Sequence, residues 1–435
     1  MNAPSDLSWL PPQTGIGGIE HLLRRAATGE TSARFRDFAL DSHFQPIFSI
    51  AHGRSVGVEA LLRARDAGGV NVPPLQVLAL PRHFGDKLLL DRLLEAMHLA
   101  NFRNLGLDRH WMFLNVQPEI FVEGPRQGSF LQELLAASAT PPGTLVLEVL
   151  EQAVADEHAL RDAVAFYRAA GCLIAVNDFG ASYSNFDRIW RLRPDIVKLD
   201  RAMTTQATSD ARARRMIPAI VALLHEAGSL VMMEGIETEA EAMLAMDSDV
   251  DFIQGYYFAR PSARPETSGR TAATNQLDRL WTAYRQDTQP ETDRHRDAMD
   301  GYREAVRRAA IQLQGGVDAV TACRGFLGLP QAIRCFVLDD GGVQHGPTLD
   351  ACGVSEARDP RFAPLADAGG ANWSRRFYFR RALQRPGTVQ LSRPYLSMTD
   401  ASQRVTLSIS IDTRNGTGVL CADVAWVDRL PNEAR

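Results

Sequence analysis

Seven short apolar runs in this 435-residue chain each carry a residue that is out of place in an apolar strand. Glu59, Asn115, Glu148, the pair Asn177/Asp178, Lys198, Glu234 and Gln254 stand at or near the C-terminal ends of their runs, and Gln45 sits early in an eighth. A carboxylate or ammonium in such a setting is costly unless it is paired or holds a metal. One such residue could be a buried salt bridge, but seven at the same end of their runs suggest a shared destination. The carboxylates of Glu59, Glu148, Asp178 and Glu234, with the amide oxygens of Asn115 and Asn177, are hard ligands suited to Mg²⁺ or Mn²⁺ and not to zinc. No His or Cys occupies these positions. With one lysine among them, the set suits metal-assisted phosphoryl chemistry, in which Lys198 holds or orients a nucleophile of lowered pKa.

The elements that must position these residues can be read from the same stretches. The runs are HFQPIFSI (43–50), VGVEALLR (56–63), WMFLNV (111–116), LVLEVL (145–150), LIAVNDF (173–179), IVKLD (196–200), LVMMEGI (230–236) and FIQGYYF (252–258). Their length and their β-branched and aromatic content predict buried strands. Between most of them lie helical patterns such as DEHALRDAVAFYRAAG, which close on glycine. Strand–helix alternation predicts a parallel α/β fold, and eight runs match a (β/α)8 barrel, whose active sites lie at the C-terminal ends of the strands. The expected organisation is a lead-in over 1–40 with one helical segment around Ile19 to Ala27, the barrel over 41–262, a helical connector over 263–316, and a smaller α+β domain over 317–435. The connector reads as one or two long helices broken at Pro290.

Taken in order, the motifs resemble those of the EAL-domain cyclic di-GMP phosphodiesterases. Glu59-Ala60-Leu61-Leu62-Arg63 resembles the family signature, and Gln45-Pro46-Ile47 its opening motif. Asn115, Glu148 to Glu151, Asn177-Asp178-Phe179-Gly180, Lys198-Leu199-Asp200, Glu234 to Thr238 and Gln254-Gly255-Tyr256 follow at similar spacing. A lone Glu-Ala-Leu means nothing, whereas eight ordered motifs are specific. The resemblance implies Glu59, Asn115, Glu148, Asp178 and Glu234 as ligands of a two-metal Mg²⁺ or Mn²⁺ centre, with Asn177 at a weaker second site. Glu234, Lys198 and Glu59 would be catalytic. Gln45, Arg63, Glu237 and Gln254 would contact substrate, and Glu151 would brace the loop after Asp178. The implied reaction opens cyclic di-GMP to linear pGpG, in a cytoplasmic homodimer.

The pattern departs from the family at Asn177, where active members usually carry an aspartate. A neutral amide cannot bridge two metals as a carboxylate does. The loop Gly180-Ala181-Ser182 also differs from the usual sequence. Three readings therefore stand: an active phosphodiesterase, a cyclic di-GMP receptor with little or no turnover, and a barrel that only binds partners.

In the C-terminal domain, the arginine- and aromatic-rich stretches around Trp373 to Arg381 and Ser392 to Ser397 are similar to the PAS/PDC-like sensor domain of YkuI-type proteins. They could simply pack a small core. The functional reading places a small-molecule effector at Arg376, Arg380 and Tyr395.

Other features bound the function. A net charge of −5 gives no reason to expect nucleic acid as partner. Five scattered cysteines without a C-x-x-C argue against a disulfide framework or zinc site. The N-terminal residues lack a signal-peptide pattern and no run is long enough to span a membrane, so a cytoplasmic location is expected. His52, His83, His110, His158 and His345 have no second ligand at metal spacing and read as surface residues.

Overall fold

The computed structural model describes residues 18–126, 130–150, 156–180, 186–269, 271–352, 368–397, 403–413 and 416–426. The chain divides into two compact units, Met1–Gln286 and Asp287–Arg435. Among the described residues no helix is long and apolar enough to cross a membrane.

Among the described residues, the first unit opens with a four-residue 3-10 turn, Ile19–Leu22, and two short strands, β1 (Leu23–Arg25) and β2 (Thr31–Phe35). The helix expected around Ile19 to Ala27 is therefore not formed. Its residues are claimed by the antiparallel pairing of Leu23–Arg25 with Thr31–Ala33, across a turn that needs Gly29 at φ +85°. The barrel strands follow: β3 (Phe38–Ser49) and β4 (Arg54–Arg65), with the short β5 (Asn71–Val72) at the edge of β4. Then come β6 (Trp111–Asn115), β7 (Leu145–Leu150), β8 (Leu173–Phe179), β9 (Ile196–Leu199), β10 (Leu230–Met233) and β11 (Phe252–Ile253). Strands β4, β6, β7, β8, β9, β10 and β11 pair in that order, all parallel, and β3 closes the ring between β11 and β4.

The sheet is not parallel throughout. Strand β3 runs antiparallel to both neighbours. The cause is local: only Ile50 to Gly53 separate β3 from β4, enough for a turn but far too few for the crossover a parallel pair requires.

Side-chain alternation stacks the barrel interior in layers. Phe113, Val146, Ala175, Ile196, Met232 and Phe252 form an apolar cluster with Ile47, each 6% exposed or less. Each of the first six lies two residues before a polar residue noted above, and Ile47 lies two after Gln45 because β3 runs the other way. Gly57, two before Glu59, leaves the space that Phe113 fills; a Cβ there would stand 3.0 Å from the Phe113 ring. A period of two thus raises the polar residues as one layer above an apolar one.

The helices cover the outside. In Ala211–Glu226, Ile217, Val221 and Leu224 recur at helical spacing and are buried in the main core, as are Leu90, Leu93 and Met97 of Phe84–Asn104. Burying each such side chain stabilises the fold by roughly 1.5–3 kcal/mol.

The helix Ala272–Gln314 runs without interruption through Pro290, contrary to the expected break. A proline removes one backbone donor and costs about 3 kcal/mol. Here the helix is held on either side of it: Leu277 and Leu280 are buried in the first unit's core, and Val306 and Ala309 in that of the second.

The second unit is built on an antiparallel sheet. Its strands are β12 (Ala332–Asp339), β13 (Gln344–Asp350), β14 (Gln390–Leu391), β15 (Tyr395–Leu396), β16 (Gln403–Thr413) and β17 (Gly416–Ala425). They are ordered β13-β12-β17-β16-β14, with β15 also on β16. Gly418 is required where β17 passes β12, since a Cβ there would lie 2.5 Å from the Leu338 carbonyl oxygen.

Candidate functional site

Lys198 is the centre of the polar layer. It lies in β9, flanked by Val197 and Leu199, and is 1% exposed. Its ammonium donates to Glu148 Oε1 at 2.6 Å, lies 2.5 Å from Glu234 Oε1 and stands 3.9 Å from Glu59 Oε1. The contact with Glu234 is ionic without hydrogen-bond alignment: Glu234 Oε1 is buried and has no hydrogen-bond partner. Asn115 and Gln254 donate to the two oxygens of Glu59, each at 2.9 Å. Asn177 Nδ2 reaches Glu148 Oε2 at 3.4 Å. Seven of the predicted residues, contributed by five strands and the residues just past β10 and β11, therefore meet in one connected group.

The electrostatics follow from burial and like charge. Burial pushes the Glu148 carboxyl up to about 7; Lys198 pulls it back, while Glu59 and Asp178 add to the rise. Burial works against the Lys198 charge, but Glu148 and Glu59 outweigh it and hold its pKa above the ordinary lysine range. Asp178 is raised by burial and by Asp200.

Strain and close approach shape the rim. The β8–β9 register slips between Val176 and Phe179, and Asp178 takes a left-handed φ of 58°, so this bulge re-aims the Asn177/Asp178 pair. Gly255 lets two loops meet, because a Cβ there would stand 2.0 Å from the Ile236 carbonyl oxygen. The backbone there is joined by Ile236 N–H to Gln254 O at 3.1 Å and Tyr257 N–H to Ile236 O at 2.9 Å. These bonds tie the loop bearing Glu234 to the one bearing Gln254.

The remaining predicted residues are placed as follows. Gln45 is buried, pairs in register with Glu59 and donates to Ala259 O at 3.1 Å. Arg63 lies on the same face of β4 as Glu59, four residues along, and donates to the Leu62 carbonyl at 2.8 Å. It lines a cavity of about 600 Å³ with Asp41, His43 and Arg65, beside the carboxylates and not over them. The cavity marks open space along the strand and the carboxylate group the chemistry, so the cavity alone would mislocate the site. Glu237 is ion-paired with Arg201 at 2.7 Å and, among the described residues, joins none of the other predicted site residues. Glu151 and the Ala181-Ser182 loop lie outside the described residues.

In the second unit, Arg376 and Tyr395 are together, the guanidinium 5.6 Å from the ring centre. Arg380 is exposed and is not part of that group, since it falls one helical turn beyond Arg376 on the solvent side.

Sequence reasoning assigned no role to three residues near the first site. Asp200 caps the helix Arg201–Ser209, Arg201 holds Glu237, and Glu241 completes a capping box with Thr238 while accepting from the Glu237 N–H at 2.7 Å. The T-x-x-E spacing could have revealed the last. In the second unit it also missed Arg334 and Arg404, which both bond Asp423.

The donor set fits a hard divalent cation in kind. It consists of oxygen atoms, and burial together with its like charges raises Glu148. In the present arrangement Lys198 answers that charge, and among the described residues no three acidic, His or Cys groups stand at ligating separation.

Comparison with known proteins bears on the same region. Residues 30–261 match the EAL domain family. Cyclic di-GMP phosphodiesterase RocR of Pseudomonas aeruginosa is 30% identical over 234 residues, which are 51% of this chain and 57% of RocR. Cyclic di-GMP phosphodiesterase NbdA of the same organism is 28% identical over 243 residues, 53% of this chain and 30% of NbdA. The chain thus matches little more than half the length of one of these relatives and under a third of the other. The crystal structure of the Bacillus subtilis YkuI protein, with an EAL domain and in complex with substrate c-di-GMP and calcium, superposes with a TM-score of 0.73. It covers 89% of this chain and 96% of that one at 21% identity, a likeness of fold. With more than half of its length matched and the motif residues gathered at one mouth of the barrel, the chain belongs to the EAL domain family.

Proposed function

We propose that the barrel binds cyclic di-GMP and hydrolyses one of its phosphodiester bonds to give linear pGpG. The observation that carries this reading is the convergence of Glu59, Glu148 and Glu234 on Lys198 at the C-terminal mouth, in a chain of this family. Glu59, Asn115, Glu148, Asp178 and Glu234 would hold Mg²⁺ or Mn²⁺, with Asn177 offering an amide oxygen. Bound there, such a cation acidifies water and neutralises phosphate charge.

The chain's own groups have separate tasks. Glu234, ion-paired with Lys198 and the more exposed of the two, is the group to accept the proton of the attacking water. The Lys198 ammonium beside it orients the water oxygen and offsets charge at phosphorus. Asn115 and Gln254 fix the Glu59 carboxylate from both sides. Gln45 and Arg63, on the adjoining faces of β3 and β4, would hold the nucleotide and a phosphate oxygen. Water adds to phosphorus, the bond to one ribose 3′-oxygen breaks, and that oxygen takes up a proton.

One observation favours a second reading, a receptor with weak turnover. Asn177 places a neutral amide beside Glu148, where the motif's aspartate would add a carboxylate. The second unit is proposed as a PAS/PDC-like sensor that regulates the barrel. A second copy of the chain is the proposed cover for the exposed Phe186, Trp190 and Met216, checked by the mass in solution.

The deciding experiment follows cyclic di-GMP conversion with Mg²⁺ and with Mn²⁺, with binding measured in parallel and Glu59→Ala as control. pGpG formation that disappears in the control supports the enzyme. Binding without product supports the receptor, and neither binding nor product overturns both.

A further inference from the structure

Strands β8 and β10 flank β9, and the residues that follow each of them bear on one short stretch, Leu199 to Met203, where β9 passes into the helix Arg201–Ser209. Toward β8, the Asp200 N–H donates to Phe179 O at 3.0 Å. A Cβ at Gly180 would overlap Met203 Sδ, so the Met203 side chain lies directly against the backbone after Asp178. Toward β10, the Glu234 N–H donates to Leu199 O at 3.3 Å. The Arg201 stem covers Gly235, where a Cβ would stand 2.6 Å from Arg201 Cγ, and the guanidinium pairs with Glu237 at 2.7 Å.

Each loop is thus held twice, once through the backbone and once through a side chain. The stretch that holds them is stiff. Asp200 accepts from the Ala202 N–H at 2.7 Å and caps the helix, and Lys198, just before Leu199, is fixed by Glu148 and Glu234. A displacement of this turn moves both loops, because all four contacts come from five consecutive residues. Stability is not what the Arg201–Glu237 pair supplies: its side chains are 54% and 37% exposed, and such pairs add little to folding. Its effect lies in placement.

We propose that Arg201 and Met203 are positioning residues, for Glu234 and Asp178 respectively, and that the turn they share couples the two loops into one unit. Arg201 sets the approach of Glu234 to Lys198, which stands at 2.5 Å. Met203 supports the left-handed backbone at Asp178 by packing on the next residue, Gly180 being only two positions on. A shift of about 1 Å in either carboxylate is enough to cost turnover far more than stability. The bearing on turnover rests on the reaction proposed above; the clamp itself stands on the barrel geometry alone.

The test uses the full chain, with amide hydrogen exchange read separately over Asn177 to Gly180, Glu234 to Thr238 and, as reference, strand β6. Arg201→Met keeps the stem and removes the charge. It should speed exchange about two- to fivefold in both loops, as loss of one exposed pair allows, and leave β6 unchanged. Met203→Ala should do the same from the other side, and Arg201→Lys should restore the wild-type pattern. Arg214→Met removes a comparably exposed pair with Asp247 and should match the wild type throughout. In cyclic di-GMP turnover with Mn²⁺, Arg201→Met should lower kcat about tenfold with KM within about twofold. Exchange that rises only in the altered residue's own loop overturns the coupling. Unchanged exchange, or a rise that includes β6, overturns the clamp, and a higher KM at unchanged kcat would make Arg201 a substrate contact instead. A wild type without turnover would refute the proposed reaction, while the exchange result would still decide the clamp.

Discussion

Restoring a carboxylate at position 177 gives the sharpest test of how the polar layer stores charge. In Asn177→Asp the new oxygen would stand about where Nδ2 now lies, 3.4 Å from Glu148 Oε2. Two unit charges at that distance repel by roughly 5 kcal/mol at an effective dielectric of about 20. The protein need not bear all of this. Glu148 already sits near 7, so the pair can share one proton. The sign follows: a carboxyl raised further in the folded state is neutral and tolerated at low pH, and the penalty grows as pH climbs above its original value. Linkage gives a cost of about half a kcal/mol at pH 7 and between about 2 and 3 kcal/mol at pH 9. For a unit of this size that lowers Tm by roughly 5–10 °C at pH 9. A divalent cation would replace the shared proton, so the Mn²⁺ concentration needed for half-saturation should fall about tenfold or more. The assay is thermal melting at pH 7 and pH 9, in EDTA and across a Mn²⁺ series, with cyclic di-GMP turnover in the same buffers. Equal melting of variant and wild type in EDTA at pH 9, with an unchanged Mn²⁺ response, would refute the reasoning.

Three other outcomes are expected. Gly255→Ala drives a Cβ into the Ile236 backbone; it should cost about 2–4 kcal/mol in melting measurements and reduce turnover by displacing Glu234 and Gln254 together. His98 is buried, hydrogen-bonded to Ser42, and held down to about 4 by burial, so its contribution is present above its unfolded value near 6.5 and lost as pH falls toward 4. His98→Asn should therefore reduce the loss of Tm between pH 7 and pH 5, and an unchanged loss would contradict the assignment. Asp423→Asn leaves two buried guanidinium groups short of charge; a loss of roughly 3–5 kcal/mol is expected, read as faster amide exchange in β16 and β17.

Much of the barrel site was legible because it obeys two periodicities at once. The strand alternation put Phe113 below Asn115 and Ile196 below Lys198, and the barrel brought the upper members together. The antiparallel β3 was legible too, in the brevity of the turn after Ile50, but the expectation of uniform βα units obscured it. What escaped depends on side-chain reach. Nothing in the spacing of Glu237 shows that Arg201, arriving from the helix after β9, would hold it. The helix expected near Ile19 failed because strand pairing with Thr31–Ala33 overrode a local pattern. In the second unit, Arg376 and Tyr395 were singled out from composition, but Arg380 was carried along by proximity in sequence. The true neighbours, Arg334 and Gln344, come from strands some 30 to 40 residues earlier.

The apolar layer beneath the polar one also governs traffic. Ile47, Phe113, Val146, Ala175, Ile196, Met232 and Phe252 contain no group that could pass a proton or ligate a hard cation. The barrel is therefore a vessel with a sealed base. Whatever reaches Lys198 and Glu148 arrives by the mouth, and whatever is made there leaves the same way. A bound nucleotide would then act as a stopper, confining the protons and ions of that chamber until it is released.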